Sequence, residues 1–369
     1  MDLNTNLLIF LSVLGIRFFL PLLIFRYPLP AIIGCLIIDA VDQTIFQKTT
    51  TIPLDNYQSY DKALDIYYLS IAYDSTLRNW NNLFAVKVSR FLFYYRIIGV
   101  VLFELLGIRG ILLIFPNTFE YFFIFYEAVR LRWDPKKFSK KFWIIAAAFI
   151  WIFIKLPQEY IIHVAQVDTT DWIKMTIFNV PPETTFPQIF EIYPLLIPSL
   201  LILGVVLFFL IRELVRKLPK ADHKISLGVM PEIKPKAVTL NKSFFKNLYP
   251  EVFEKAVFVG LLLIIFSQLF PSFQGTATSI FIGAAIVVVL SAWVAYLFGP
   301  QKISKLSLQT TLAIMFFINT TLATLYLVIV SRANAWDSIN LLLFFALILT
   351  MFTVFYDTYR PYYAARLKS

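Results

Sequence analysis

Residues 276–298 read TATSIFIGAAIVVVLSAWVAYLF and contain no Asp, Glu, Lys, Arg or His. An α-helix needs about 20 apolar residues to cross the hydrocarbon core of a bilayer, and this stretch supplies them. The rest of the chain follows the same pattern, because 59% of its 369 residues are hydrophobic and 15% are charged. We therefore predict an all-α, polytopic bundle of transmembrane helices, which excludes a water-soluble, disulfide-stapled or disordered protein.

Further apolar runs of this kind follow one another along the chain. The fifth run contains Pro116, Asn117 and two glutamates, so it also fits a re-entrant or interfacial helix. The sequence therefore predicts ten or eleven spans. They are expected at residues 6–25, 30–46, 57–74, 82–106, 111–129, 142–162, 193–214, 256–270, 276–298, 306–330 and 339–355.

The segments between these runs alternate in charge. Residues 130–141 (RLRWDPKKFSKK) and 212–246 are basic, whereas residues 167–191 are acidic. Because basic loops tend to stay on the cytoplasmic side, we predict both basic segments and the C-terminus in the cytoplasm and the acidic segment outside. The net charge of +10 then reflects loops that face anionic lipid headgroups, and no nucleic acid is expected as a partner.

Ionisable side chains divide the chain into three regions. Residues 1–135 form a polar-cored transmembrane region, residues 136–192 a transmembrane helix with the acidic outer loop, and residues 193–369 apolar helices with the basic loop. An ionised group at membrane depth costs at least about 2.5 kcal/mol on insertion scales, so such groups are normally paired or functional. We therefore expect the functional site within the first 135 residues.

Two pairs of aspartates flank the connection between the second and third predicted spans. Asp39 and Asp42 end the second span, and Asp61 and Asp65 begin the third. Spacings of three and four residues place each pair on one helix face, and a helical hairpin brings both pairs to one membrane border. Converging carboxylates repel one another unless cations bind them, and ligation by oxygen alone favours ions such as Mg²⁺ or Mn²⁺.

A divalent cation at a membrane border suits phosphoryl transfer, because it neutralises charge on the phosphates of a lipid or nucleotide. A surplus carboxylate can act as a base towards an alcohol. The sequence therefore predicts a magnesium- or manganese-dependent transferase that acts on a phosphate-bearing lipid or lipid precursor.

The four aspartates resemble the motif of the CDP-alcohol phosphotransferases, which are membrane enzymes of phospholipid synthesis. That motif is D-x2-D-G-x2-A-R, then about eight residues, then G-x3-D-x3-D. The resemblance implies that Asp39, Asp42 and Asp61 hold the metal and that Asp65 is the base. The remaining motif positions, which serve the cytidine diphosphate in the family, are not kept here and hold Gln43, Phe46, Gln47 and Tyr57.

Several polar residues are candidates for substrate contact, because they lie near the aspartates or can clamp a phosphate: Gln43, Gln47, Lys62, Arg90 and Arg96. Two other interpretations stay open. The aspartates can be helix-end carboxylates, neutralised by Arg17, Arg78, Arg90 or Arg96. Alternatively, the buried charges can belong to a non-enzymatic transporter or a membrane-complex assembly protein, and a homodimer or larger membrane complex is open in every case.

Overall fold

The computed structural model describes residues 3–51, 57–167, 169–230, 244–270, 275–298, 306–326, 328 and 339–368. These ranges contain helices, turns and loops and no β-strand, which confirms the predicted all-α class. The helices are α1 (Leu3–Phe19), α2 (Pro28–Thr49), α3 (Tyr57–Asn79), α4 (Leu83–Leu106), α5 (Gly110–Ile114), α6 (Thr118–Arg130), α7 (Lys140–Phe149), α8 (Leu156–Glu159), α9 (Thr169–Trp172), α10 (Phe186–Ile192), α11 (Leu196–Lys217), α12 (Phe244–Ser267), α13 (Ala277–Phe298), α14 (Leu308–Tyr326) and α15 (Ile339–Lys368).

Seven helical stretches among the described residues are long and apolar enough to cross a membrane, by length and composition. This number supports a multi-pass membrane protein, but it does not confirm ten or eleven spans. Helices α3, α4 and α12 are of similar length, yet each carries at least four charged residues. The seven stretches are Thr5–Phe25, Pro28–Thr49, Lys140–Val164, Leu196–Lys217, Ala277–Ala295, Leu308–Tyr326 and Ile339–Leu367.

Helix α3 is the centre of the bundle. It packs against α1, α2, α4, α12 and α15, and every residue from 63 to 77 is buried. Its large aromatic side chains fill the space between these neighbours; Tyr73, for example, stacks on Phe93 of α4 with ring centroids 4.5 Å apart. Because α3 is enclosed by protein, its charged side chains need not face lipid.

Local signals fix the ends of α4. The Asn82 side chain caps its start by accepting the backbone N–H groups of Phe84 and Ala85, which have no partner within the helix. The helix ends at Gly107, whose φ of 68° is a left-handed conformation that glycine adopts without a steric penalty. The chain then turns back towards α4.

The fifth predicted span is a broken helix formed by α5 and α6. Two backbone carbonyls at the break are bound by α4: Tyr95 Oη donates to Ile114 O at 2.8 Å, and Arg96 Nη1 donates to Phe115 O at 3.0 Å. Gly99 permits this close approach, since a Cβ there would lie 2.1 Å from Phe115 Cβ. The segment therefore runs back along α4 as two short helices instead of one continuous span.

One end of the bundle contains the aspartates, and we call it the aspartate end. Ser59 Oγ donates to Glu104 Oε2 at 3.3 Å, which places the start of α3, with Asp61 and Asp65, beside the last turn of α4. The π-helical turn Tyr160–Val164 packs against α5, which follows α4 directly. The acidic segment that follows this turn therefore leaves the bundle at the aspartate end.

The opposite end carries the basic loop, and we call it the basic end. Asn82 Nδ2, just after α3, donates to Pro135 O at 3.0 Å within the segment 130–141. Arg366 of α15 donates to the carbonyl of Trp80. The end of α15 and the first basic segment therefore lie together. They are separated from the aspartate end by the 23 residues of α3, which extend about 35 Å at 1.5 Å per residue.

Helix α11 stands outside this packing. None of its side chains is buried among the described residues, although it is one of the most apolar candidate spans. In a bilayer, such a helix satisfies its backbone internally and can present its side chains to lipid. The second predicted basic segment begins at its end, and residues 231–243 of that segment lie outside the described residues.

Candidate functional site

Four aspartates surround the guanidinium group of Arg17. Its Nη2 lies 2.5 Å from Asp39 Oδ1 and 3.2 Å from Asp65 Oδ1. Its Nη1 contacts Asp42 and lies 3.4 Å from Asp61 Oδ1. The structure thus brings together both aspartate pairs, one from α2 and one from α3, around a side chain of α1. We call this set, together with Lys62, the Arg17 cluster.

The Arg17 cluster is mostly shielded from solvent. The Arg17 side chain is 4% exposed and Asp42 is fully buried, whereas Asp39 is the most open carboxylate at 26%. The Tyr57 hydroxyl donates a hydrogen bond to Asp42. Asp42 is therefore held by Tyr57 at one oxygen and by Arg17 at the other. Lys62 Nζ lies 2.8 Å from Asp61 Oδ2. The open side of the cluster is therefore at Asp39, away from Asp42.

The charges of the cluster do not balance. Four carboxylates contribute −4 and the side chains of Arg17 and Lys62 contribute +2, which leaves −2 when all groups are ionised. An uncompensated charge in a buried position is costly. One divalent cation or two protons would neutralise the excess.

Three of the carboxylates have a geometry that suits a metal ion. Asp39, Asp61 and Asp65 each offer one oxygen, and these oxygens lie within 4.8 Å of one another. The centre of such a triangle is at most about 2.8 Å from each oxygen, and Mg²⁺ and Ca²⁺ bind oxygen at about 2.0–2.6 Å, so small side-chain rotations suffice. This converging set contains Asp65 in place of Asp42, which is engaged by Arg17 and Tyr57.

The predicted substrate residues are placed differently from one another. Lys62 belongs to the cluster and also lies 3.4 Å from Asp65 Oδ2. Gln43 and Gln47 are exposed on α2, and Phe46 between them is buried. The two glutamines therefore lie on the surface of the helix that supplies Asp39 and Asp42.

Arg90 and Arg96, the two predicted phosphate clamps, contact other groups. Arg90 Nε lies 3.1 Å from Tyr73 Oη and 3.5 Å from Glu254 Oε1 of α12. Arg96 Nη1 lies 3.8 Å from Glu159 Oε1, in addition to its bond to the carbonyl at the α5–α6 break. Both arginines thus have carboxylate partners outside the Arg17 cluster.

Four arginines were candidate counter-ions of the aspartates, and Arg17 is the one of these four that contacts them in the structure. Arg78, another candidate for neutralising the aspartates, donates to the Phe25 carbonyl and to Asn79 Oδ1 at the basic end. The number of arginines in the first region therefore does not indicate how many of them neutralise the aspartates.

A second buried ionic network lies beside the cluster, and the sequence did not predict it. Tyr68, three residues after Asp65, donates to Glu120, and Lys155 Nζ lies 3.8 Å from Glu120 Oε2. His163 Nε2 lies 3.0 Å from Glu159 Oε2. With Arg96 included, two basic and two acidic side chains balance, so this network has no formal excess charge when His163 is neutral.

Lys155 and Glu159 lie within the apolar span predicted at residues 142–162, and His163 follows it directly. The spacing of four residues between these side chains places them on one helix face, and this regularity is the signal that was available in the sequence. The partners of Glu159 and Lys155 are Arg96 of α4 and Glu120 of α6, and no local sequence pattern connects those two helices to this one.

No family model, curated protein or solved structure matches this chain. The part of the chain that the structure describes is helical, with seven candidate membrane spans and a buried acidic cluster. The resemblance to the CDP-alcohol phosphotransferases therefore rests on the four-aspartate motif.

Proposed function

We propose that this chain is an integral membrane protein that binds Mg²⁺ or Mn²⁺ at the Arg17 cluster and acts as a metal-dependent transferase on a phosphate-bearing lipid or lipid precursor. The observation that carries the proposal is the excess of two negative charges in a buried cluster whose oxygens converge. A single divalent cation removes this excess and leaves Arg17 in place.

The residues of the cluster divide into two roles. Asp39, Asp61 and Asp65 would hold the cation, which supplies charge neutralisation to phosphate oxygens when it is bound. Asp42 fixes Arg17, and Arg17 in turn orients the other carboxylates. In the proposed reaction, an acceptor alcohol gives its proton to a carboxylate and its oxygen bonds to phosphorus, while the bond from phosphorus to the leaving oxygen breaks.

A lipid-borne substrate fits better than a cytidine nucleotide. The motif positions that serve the nucleotide in the family hold Gln43, Phe46, Gln47 and Tyr57 here, and the Tyr57 hydroxyl already donates a hydrogen bond to Asp42. The cluster also lies at the aspartate end, opposite the basic segment that is expected in the cytoplasm. A substrate that moves within the bilayer can reach such a site from the side of α2.

Binding of Mn²⁺ by the purified full-length protein tests the metal site. We expect the electron paramagnetic resonance signal of free Mn²⁺ to fall as about one equivalent binds, and Asp39→Asn and Asp61→Asn to weaken binding at least tenfold. Asp74→Asn is the matched control, because Asp74 is a fully buried aspartate of α3 outside the cluster. Equal binding by wild type and Asp61→Asn, or no binding by wild type, would overturn the proposal.

Asp65→Asn separates two roles of Asp65. If Asp65 is the base, as the family resemblance implies, the variant keeps Mn²⁺ and loses the lipid product that distinguishes cells with the protein from cells without it. If Asp65 is a ligand, both are lost. Lipid profiles that do not change on deletion of the protein would contradict the transferase function.

A non-enzymatic transport role is the second candidate, and one arrangement favours it. Arg17 contacts all four carboxylates, and Tyr68 links α3 beside the cluster to the network of Glu120 and Lys155. Such a series of buried ionisable groups can conduct protons when two protons, in place of a cation, balance the cluster. Proton flux into proteoliposomes that Asp39→Asn abolishes, without Mn²⁺ binding by wild type, would support this candidate.

A further inference from the structure

A second candidate site lies at the basic end. A cavity of about 490 Å³ opens between the end of α3, the end of α6 and the segment 218–230 that follows α11. This volume is within the range of about 300–1,000 Å³ that ligand pockets occupy. Its polar lining includes Asn79, Asn81, Arg130, Lys137, Asp222 and His223.

The segment 218–230, which we call the strap, is held by hydrogen bonds at Asp222. The Asp222 N–H donates to Arg132 O at 2.9 Å, and its carboxylate accepts the Asp134 N–H at 2.9 Å and Lys137 Nζ at 2.6 Å. These two donors hold the pKa of Asp222 below its ordinary range. The stabilising charge is therefore present at neutral pH and is lost only as the pH falls through this lowered pKa.

The other end of the strap is also fixed. The Val229 N–H donates to Arg26 O at 2.9 Å, just before α2 begins. With these hydrogen bonds at Asp222 and Val229, the strap lines the cavity together with Asn79 and Asn81. The cavity is thus bounded by a segment with defined hydrogen bonds at two points.

Arg130 also lines the cavity, and one of its buried nitrogens has no partner among the described residues. Arg130 Nε donates to Glu127 Oε2 at 2.6 Å, and Glu127 is fully buried. Arg130 Nη2 is buried and has no hydrogen-bond partner among the described residues. Buried polar groups are nearly always paired in native structures, so an unpaired guanidinium nitrogen beside a cavity indicates a missing acceptor.

Both carboxylates that line the cavity already accept hydrogen bonds. The carboxylate of Asp134 accepts the Lys136 N–H at 3.0 Å, and that of Asp222 is held by Lys137. Among the buried side-chain nitrogens and oxygens of the lining, Arg130 Nη2 is the one for which the described residues offer no partner, and Val229 and Met230 add an apolar surface. This combination suits an anion that carries an organic group.

We propose that the cavity binds a phosphate group, carried by a lipid headgroup or by a soluble phosphate ester, with Arg130 as its buried donor. Guanidinium groups bind phosphate oxygens through charge-assisted hydrogen bonds, which are among the stronger ones in proteins. The site is independent of the proposed transferase function, because Asn79 at the cavity and Asp65 in the Arg17 cluster are about 20 Å apart along α3.

Binding to the full-length protein in phosphatidylcholine nanodiscs tests the site with three probes: inorganic phosphate, glycerol 3-phosphate and phosphatidic acid. Arg130→Lys keeps the charge beside Glu127 and removes the planar donor, and Asp222→Asn releases the strap. We expect each to raise the dissociation constant about tenfold. Lys220→Gln, an exposed change in the same strap, is the control and should leave binding unchanged.

The three probes also distinguish the source of the phosphate. Binding of phosphatidic acid alone assigns the cavity to a lipid headgroup, and binding of the soluble probes assigns it to a phosphate ester. If Arg130→Lys does not fold, Asp222→Asn still tests the site, since the hydrogen bonds of Asp222 lie at the surface. Wild type that binds none of the probes, or both variants binding as wild type does, would overturn the proposal.

Discussion

At the scale of single residues, Arg17 determines the character of the site. One guanidinium group joins carboxylates from α2 and α3, so the three helices meet through a single side chain that is 4% exposed. Removal of one partner from a buried ionic cluster costs more than the intact cluster contributes, because the remaining charges stay buried without compensation.

We expect Arg17→Gln to lower the free energy of unfolding by about 3–5 kcal/mol, since the net charge of the cluster falls from −2 to −3. Added Mn²⁺ should then raise the melting temperature of the variant more than that of wild type. Thermal unfolding of the purified protein in detergent measures both effects. Arg212→Gln, on the exposed face of α11, is the matched control. A variant as stable as wild type would contradict the central role of Arg17.

The sequence predicted the meeting of the aspartates because their spacing is local and a hairpin is the simplest connection between two adjacent helices. It could not assign counter-ions, since these depend on contacts between distant parts of the chain. Arg90, for example, pairs with Glu254, which lies 164 positions later. The sequence did not indicate a buried charge at Lys155 for another reason: its apolar neighbours dominate the hydropathy averaged over the predicted span.

At the scale of elements, α3 shows how a polar helix can occupy the centre of a membrane bundle. Its charged residues disqualify it as a span by composition, yet its surface is covered by other helices. The last turn of α3 has carbonyls without helical partners, and Arg366 of α15 donates to the carbonyl of Leu77 in this turn and to that of Trp80 just after it. A long-range contact therefore caps the central helix.

We expect Arg366→Gln to destabilise the protein by about 1.5–3 kcal/mol, because hydrogen bonds from a charged donor to these carbonyls are lost. Amide hydrogen exchange should accelerate around residues 78–82 and stay unchanged in the first turns of α3. Arg216→Gln on exposed α11 serves as the control. Exchange that increases uniformly along α3 would show that Arg366 supports the whole fold and not this helix end.

At the scale of the whole molecule, charge is sorted by position along the bundle axis. The basic segment 130–141, the strap and the end of α15 lie at the basic end, whereas the aspartates and the start of the acidic segment lie at the other. The alternation of charge in the sequence predicted that the acidic segment lies opposite the basic segments, because loops on either side of successive spans must alternate in position. It did not assign a side to the aspartates.

Cysteine labelling in whole cells tests the orientation that this sorting predicts. Cys35 is the single native cysteine and is buried, so Cys35→Ser provides an unreactive background. We expect Glu191→Cys to react with a membrane-impermeant maleimide in intact cells and Lys220→Cys to react only after permeabilisation. Labelling of both positions in intact cells would contradict the arrangement, and the opposite pattern would reverse its orientation.

The break between α5 and α6 has a consequence for biosynthesis. These helices contain 5 and 13 residues, and each is shorter than the roughly 20 that partition into a bilayer independently. At their junction, the carbonyls of Ile114 and Phe115 accept hydrogen bonds from the α4 residues Tyr95 and Arg96. We therefore expect the pair to enter the bilayer together with α4, and a nascent chain arrested before α6 is complete to present an unshielded polar backbone to lipid and become a substrate for quality-control proteolysis.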